Sequence, residues 1–484
     1  MKLNIVVLLT LLISIIIQLT SCDYTSIKTK RNVLTDLNLS SFLENESLSF
    51  SEMNNTNNTN NTNNSEIIEN SNNNNPVFTM LKLYNYKDVQ YSGEIYVGTP
   101  YKKFTVIYDT GSNLFWLPSV NCTFRCRNGT NKYIPELSST SKNLHIKKNI
   151  SYAKGYIKGR LFKDKVALNK RTMLSRLYNK EIYVDDFKII AAYKEKYLFR
   201  TAFDGIVGLG INDEGDINNS LIKLLYNQNK ISVPSFTFYL FSNKHENSTN
   251  ENSRLYVGDI LENDYINNLF KNKIKYCYLP ENNVYWLCKS QSIKFELNNE
   301  NNSTNINKTK TISTQSGIIF DTGTSYTLLP MNDSKYIMDY FNDTLKKKCY
   351  ITKFHQIICQ CNSEKDFGNI KIYFDEENYY QINFEDLIDY KQNYVFQCRF
   401  KMLVDKINFG TWVIGDSSLR SSLITFNMQE RKISFIQNIS KIIDDNKIAK
   451  SILINQSLIS STLFWILIII GVLVVLIAII YIFI

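Results

Sequence analysis

The chain has 484 residues, 44% of them hydrophobic, with 55 basic against 45 acidic residues and a formal net charge of +10. That length exceeds one compact core and implies two lobes with extensions. The basic excess is scattered among acidic residues and Asn-rich stretches, which excludes a nucleic-acid-binding stripe and argues against any nucleic-acid partner. Residues 1–21 read as a secretory signal peptide, with Lys2 ahead of an Ile/Leu/Val run that gives way to small and polar residues. From 22 to 80 the chain is polar and repetitive, peaking in the Asn-rich stretch from Asn54 to Ser65 and the run Asn72 to Asn75. Such a stretch carries too little apolar surface to order itself, and it lies where a propeptide or disordered spacer would lie.

The texture changes at Leu81, where short β-branched and aromatic runs alternate with turn residues. Tyr91 to Gly98 reads as a strand turned by Thr99-Pro100, and Phe104 to Tyr108 as the next. Helical patterns are few, Ser220 to Gln228 and Ser334 to Leu345 being the best. The architecture expected is therefore all-β, over 81–437, with a first lobe at about 81–250 and a second at about 251–437. Residues 438–461 read as a stalk. Leu463 to Ile484, within a terminal segment 462–484, is a 22-residue run without a charge, long enough to span a bilayer as a helix. A GPI-attachment signal is the other reading of this tail. The apolar residues Ile448, Ala449, Ile452, Leu453, Ile454 and Leu458 interrupt the stretch before it and favour a retained span.

Nine cysteines are present. Cys22 leaves with the signal or borders it, and the remaining even set in an oxidising route implies disulfides. Cys122 and Cys126 are close enough to staple one loop, and Cys277 and Cys288 could bridge a hairpin around Pro280-Glu281-Asn282-Asn283. The pairing of Cys349, Cys359, Cys361 and Cys398 stays open. No metal or cofactor is expected, because His145, His245 and His355 fall in no ligand or triad spacing. Sequons at Asn38, Asn121, Asn247, Asn307 and Asn342 permit N-glycosylation.

Two tripeptides carry the chemistry. Asp109-Thr110-Gly111 follows the apolar run Phe104 to Tyr108, and Asp321-Thr322-Gly323 follows Gly317-Ile318-Ile319-Phe320. Each is followed by a hydroxyl residue, Ser112 or Thr324. A strand ending in a tight Gly turn presents its carboxylate at a loop tip. Two such tips from similar halves can share one proton, because close carboxylates resist joint ionisation. That arrangement suits activation of a water against a peptide bond.

These segments resemble those of the pepsin-like aspartic proteases, over most of Leu81 to Gln437. Asp109 to Ser119 is similar to that family's first catalytic segment, with Trp116 at the expected spacing. Ile150-Ser151-Tyr152-Ala153-Lys154-Gly155 resembles its flap hairpin. Phe203 to Gly210 and Trp412-Val413-Ile414-Gly415-Asp416 resemble the apolar-Gly elements beneath the two aspartates. The resemblance implies a bilobal fold and aspartic endopeptidase activity on protein or peptide substrates, by a monomer. Its catalytic pair would be Asp109 and Asp321. Thr110, Gly111, Ser112, Thr322, Gly323 and Thr324 would support the pair, and Tyr152, Trp116 and Ser325 would line the cleft. The alternative is a catalytically silent peptide-binding member. The Asn-rich insertions resemble those of apicomplexan parasite proteins, which makes a membrane-anchored, plasmepsin-like member the expectation. It would work in the secretory pathway or at the cell surface, with its catalytic part on the lumenal or extracellular side.

Two features depart from the family pattern. Ala153 and Lys154 stand in the flap where a Gly and a small hydroxyl residue are usual. Residues 23–80 carry three basic and seven acidic residues, the reverse of a basic inhibitory prosegment. A working pH milder than gastric follows as an expectation.

Overall fold

The computed structural model describes residues 65–69 and 76–439, apart from 123–130, 153–154, 170–180, 197–202, 212–219, 243–251, 298–307, 393–395, 406–409, 421 and 438. The signal, most of the Asn-rich segment and the apolar tail lie outside the described residues. Among the described residues no helix is long and apolar enough to cross a membrane.

The fold is mostly β and is built on one pattern used twice. In the first half Lys102–Asp109 runs parallel to Gly205–Gly208, which lies antiparallel to Phe115–Pro118, which in turn runs parallel to Tyr183–Lys196. In the second half Gly317–Phe320 runs parallel to Thr411–Ile414, antiparallel in turn to Thr327–Pro330, itself parallel to Phe396–Asp405. Parallel neighbours cannot be joined by a tight hairpin. Each aspartate-bearing strand is therefore paired with a strand from roughly a hundred residues later in its own half.

In the first half two of these strands are covered on both faces, whereas Gly317–Phe320 and Thr411–Ile414 in the second half alternate buried and half-buried positions. Phe115–Pro118 and Gly205–Gly208 are buried at every position. Trp116, Trp286 and Trp412 are among the largest fully buried side chains. Strands from the start, middle and end of the chain then join in one sheet. Pro76–Tyr86, Arg254–Gly258, Ser235–Tyr239, Leu423–Asn427, Lys432–Ile436 and Lys275–Tyr278 follow one another in that order. Phe236 and Phe426 stack at 5.0 Å within it, and Trp286 meets Phe426 edge-on at 5.1 Å.

Several elements differ from the sequence reading. Ser65–Glu69 is a strand paired with Pro76–Tyr86, inside the stretch read as unable to order itself. Its backbone adds to an open sheet edge on Pro76–Tyr86, a pairing that needs no apolar run of its own. The second helix begins at Met331 and ends at Asp339, and Tyr340–Thr344 continues it with wider π-type turns. Pro330 precedes it, where a missing N–H costs nothing. The Leu221–Asn227 helix is capped by Ser220, whose hydroxyl accepts from the Lys223 N–H. A further helix, Asp264–Phe270, is absent from the sequence reading; it is capped by Asn263 and buries the face of Ile266 and Phe270, with Tyr265 and Leu269 packed beside them.

Candidate active site

The two Asp-Thr-Gly loops meet back to back, locked by reciprocal hydrogen bonds. The Thr110 N–H donates to Thr322 Oγ1 at 3.1 Å, and the Thr322 N–H donates to Thr110 Oγ1 at 3.0 Å. Each hydroxyl then donates across the axis to a strand carbonyl: Thr110 to Phe320 O at 2.8 Å, Thr322 to Tyr108 O at 2.6 Å. Both threonines are buried, so these groups have no water to fall back on. The glycines permit the approach. A Cβ on Gly111 would stand 2.6 Å from Asp321 Oδ1, and one on Gly323 would stand 2.1 Å from Asp109 Oδ1.

Each carboxylate is gripped in the same way. Asp109 accepts from the Gly111 N–H at 2.8 Å and from the Ser112 hydroxyl at 2.5 Å. Asp321 accepts from the Gly323 N–H at 2.7 Å and from the Thr324 hydroxyl at 2.6 Å. The elements beneath hold the backbone: the Leu209 N–H donates to Asp109 O at 2.7 Å, and the Asp321 N–H to Ile414 O at 3.0 Å. A side chain at Gly208 or Gly415 would collide with the loop backbone above it.

Burial and charge act strongly on Asp109. Burial, then the neighbouring charge of Asp321, pushes the pKa of Asp109 up to about 8, against the pull of the Ser112 and Gly111 hydrogen bonds. Asp109 therefore holds a proton where an ordinary carboxyl has lost it. Tyr152, at the end of the strand Lys142–Tyr152, lies close to Asp109, beside Trp116 and Ser112. Burial and the Asp109 charge raise its phenol well above the ordinary value. Ala153 and Lys154 lie outside the described residues. Ser325 sits past the second loop, half-buried, its carbonyl accepting from the Ser417 N–H at 3.1 Å.

Three residues near the site carried no sequence signal of their own. Trp286 donates its indole N–H to Leu209 O at 2.8 Å, tying the second half to the residue that supports Asp109. Asp416 was legible only as part of a motif. Its carboxyl is raised well above the usual range by burial, with the Asp321 charge adding to it. Asp333 accepts from the Trp412 indole at 2.7 Å and from Ser316 at 2.6 Å, fixing the strand below Asp321. The scarcity of tryptophan, four in the chain, is the only hint that Trp286 matters.

Cys277 is bridged to Cys288, Cys349 to Cys359 and Cys361 to Cys398. Cys122 is disulfide-bonded, while Cys126 lies outside the described residues. Among the described residues no group of His, Cys, Asp and Glu could hold a metal ion.

A family model for eukaryotic aspartyl proteases matches residues 90–438, and the chain belongs to that family. It is 26% identical to pregnancy-associated glycoprotein 2 of Bos taurus over 376 residues, 74% of this chain and 85% of that protein. It is 32% identical to pepsin A of Rhinolophus ferrumequinum over 162 residues, 33% of this chain and 40% of that one. With cyprosin of Cynara cardunculus the identity is 34% over 214 residues, 43% of this chain and 40% of cyprosin. The chain thus spans about 40% of the length of the pepsin A and cyprosin relatives in these matches.

Proposed function

We propose that the chain is an aspartic endopeptidase whose catalytic groups are Asp109 and Asp321. The observation that carries this reading is the pair itself: two carboxyls on loops locked back to back, with the pKa of Asp109 pushed up to about 8 by burial and the neighbouring Asp321 charge. Asp109 supplies the acid and Asp321 the base. A water held between them loses a proton to Asp321 as its oxygen attacks the scissile carbonyl carbon. Asp109 gives its proton to the carbonyl oxygen, forming a neutral tetrahedral diol. Collapse of the diol breaks the C–N bond, with a proton passing to the leaving nitrogen. Tyr152 would close over an extended peptide, with Ser325 at the rim, while Trp116, fully buried and not in the cleft itself, packs beneath Tyr152.

The finer reading is limited processing of proteins in the secretory pathway or at its surface. The disulfides support an oxidising route. The charge-free run Leu463 to Ile484 supports a membrane tether.

Cleavage of a peptide library by the full chain, repeated with Asp109→Asn and Asp321→Asn, tests the assignment. Cleavage by the wild type and its loss in both folded variants is the expected result. Activity surviving in either variant would move the chemistry elsewhere. A wild type that binds peptides without cutting them would be a silent peptide-binding protein.

A further inference from the structure

A circuit of hydrogen bonds runs beneath the two aspartate loops and closes on itself. The Leu209 N–H donates to Asp109 O at 2.7 Å, and Leu209 O accepts from the Trp286 indole N–H at 2.8 Å. Trp286 O accepts in turn from the N–H of Phe320, the residue before Asp321, at 3.0 Å. Phe320 O accepts from the Thr110 hydroxyl at 2.8 Å, which returns the circuit to the residue after Asp109. Two links cross between the halves, one made by Thr110 and the other by Trp286.

The indole is held where that bond needs it. Trp286 is fully buried, and its ring meets Phe236 edge-on at 5.8 Å and Phe426 edge-on at 5.1 Å. Both phenylalanines belong to the sheet that joins the halves. The residues after Trp286 pair with the strand leading to Asp321, Leu287 opposite Ile319 and Cys288 opposite Ile318. Cys288 is also bridged to Cys277. An indole nitrogen only donates, and here it serves Leu209 O.

The counterpart position in the first half is used differently. Ser92 stands opposite Ile107 as Leu287 stands opposite Ile319, each isoleucine two residues before an aspartate. Tyr91 is therefore the counterpart of Trp286. Its hydroxyl donates to Phe241 O at 2.6 Å, within its own half.

We propose that the Trp286 indole N–H is a positioning group for peptide hydrolysis, clamping the support of the Asp109 loop to the strand that carries Asp321. The inference deepens the endopeptidase reading and rests on it. The threonines fix the loop tips, while the indole fixes the ground beneath them. A water held between two carboxyls needs both in register at once, and a misplacement of about 1 Å costs on the order of 10²-fold. Trp286 acts on that register through Leu209 and Phe320.

The test replaces Trp286 in the full chain, by nonsense suppression, with benzothienylalanine, which keeps the shape of the ring and puts sulfur in place of the N–H. Azatryptophan at the same position restores the N–H and is the rescue. Phe426→Leu is the packing control, since it loosens the same aromatic cluster and leaves the indole bond in place. The readouts are steady-state cleavage of a peptide that the wild type cuts and amide exchange at Thr110 and Thr322. A kcat about tenfold lower with KM within about twofold, restored by azatryptophan and not reproduced by Phe426→Leu, supports the inference. Unchanged kcat, or a loss confined to KM, overturns it. An equal loss of kcat in Phe426→Leu assigns the effect to packing and also overturns it. A wild type that cuts no peptide fails the endopeptidase reading instead, and exchange then decides the clamp. Several-fold faster exchange at both threonines in the benzothienylalanine protein keeps it, and equal exchange overturns it.

Discussion

The loops carrying Asp109 and Asp321 share a backbone plan, a threonine lock and a matched pair of donors to each carboxylate. They differ in cover. Asp109 is 6% exposed and lies under Tyr152, whereas Asp321 is half-buried. Equivalent local chemistry thus stands on unequal ground: burial, then the neighbouring Asp321 charge, raises the pKa of Asp109, so a proton is held there. Symmetry builds the site, and unequal burial breaks it.

The largest effect expected is from removing either carboxyl. Asp109→Asn and Asp321→Asn should each lower kcat by roughly 10²–10⁴-fold or more. The double variant should be little worse than either single one, since groups acting as a unit are non-additive. Single-turnover peptide cleavage checks this, and additive losses would separate the two loops into independent contributors.

Gly323→Ala places a Cβ 2.1 Å from Asp109 Oδ1 and must displace the opposite loop. A shift of about 1 Å should cost on the order of 10²-fold in kcat/KM. Gly111→Ala should behave alike, because its Cβ meets Asp321 at 2.6 Å.

The lock itself is tested by Thr322→Val. The change leaves Tyr108 O without its donor and the Thr110 N–H without its acceptor, both in buried surroundings. Each orphaned group costs roughly 1–3 kcal/mol. A lower denaturation midpoint with unchanged m-value is the expected result.

The pH dependence sharpens the comparison most directly. Because the folded pKa of Asp109 is raised from 3.8 to about 8, the protein binds that proton more tightly when folded than when unfolded. The resulting stability is present below the unfolded value and is lost as pH rises through about 8. Tm should fall across that window, and Asp109→Asn should flatten the fall. Activity should decline on the same alkaline side as the acid is lost. Ser112→Ala removes a hydrogen bond that lowers the Asp109 pKa, so its alkaline limb should move upward. A profile that peaks below about pH 3 in the wild type would contradict the proton placement.

Much of this was legible in the chain because the tripeptides, their hydroxyl neighbours and the Gly elements are local patterns with local causes. A carboxylate at a Gly turn is a property of a few consecutive residues. Helix placement was less legible: Asp264–Phe270 is only seven residues long, so its stripe of Tyr265, Ile266, Leu269 and Phe270 spans too few turns to stand out from a strand-rich texture. Trp286 was invisible because its role rests on the Leu209 carbonyl, 77 residues away in the sequence. The pairing of Cys349, Cys359, Cys361 and Cys398 was open for the same reason, since strand neighbours decide which sulfurs meet.

By itself, then, the sequence determined that two carboxylates would stand at loop tips with a hydroxyl donor beside each, because turn geometry and short-range hydrogen bonds are written within a tripeptide and its neighbours. Only the tertiary structure decided that the loops lock through Thr110 and Thr322, and that Asp109 is the more deeply covered of the two. Burial is a sum over strands distant in the sequence, and a proton's residence on Asp109 follows burial.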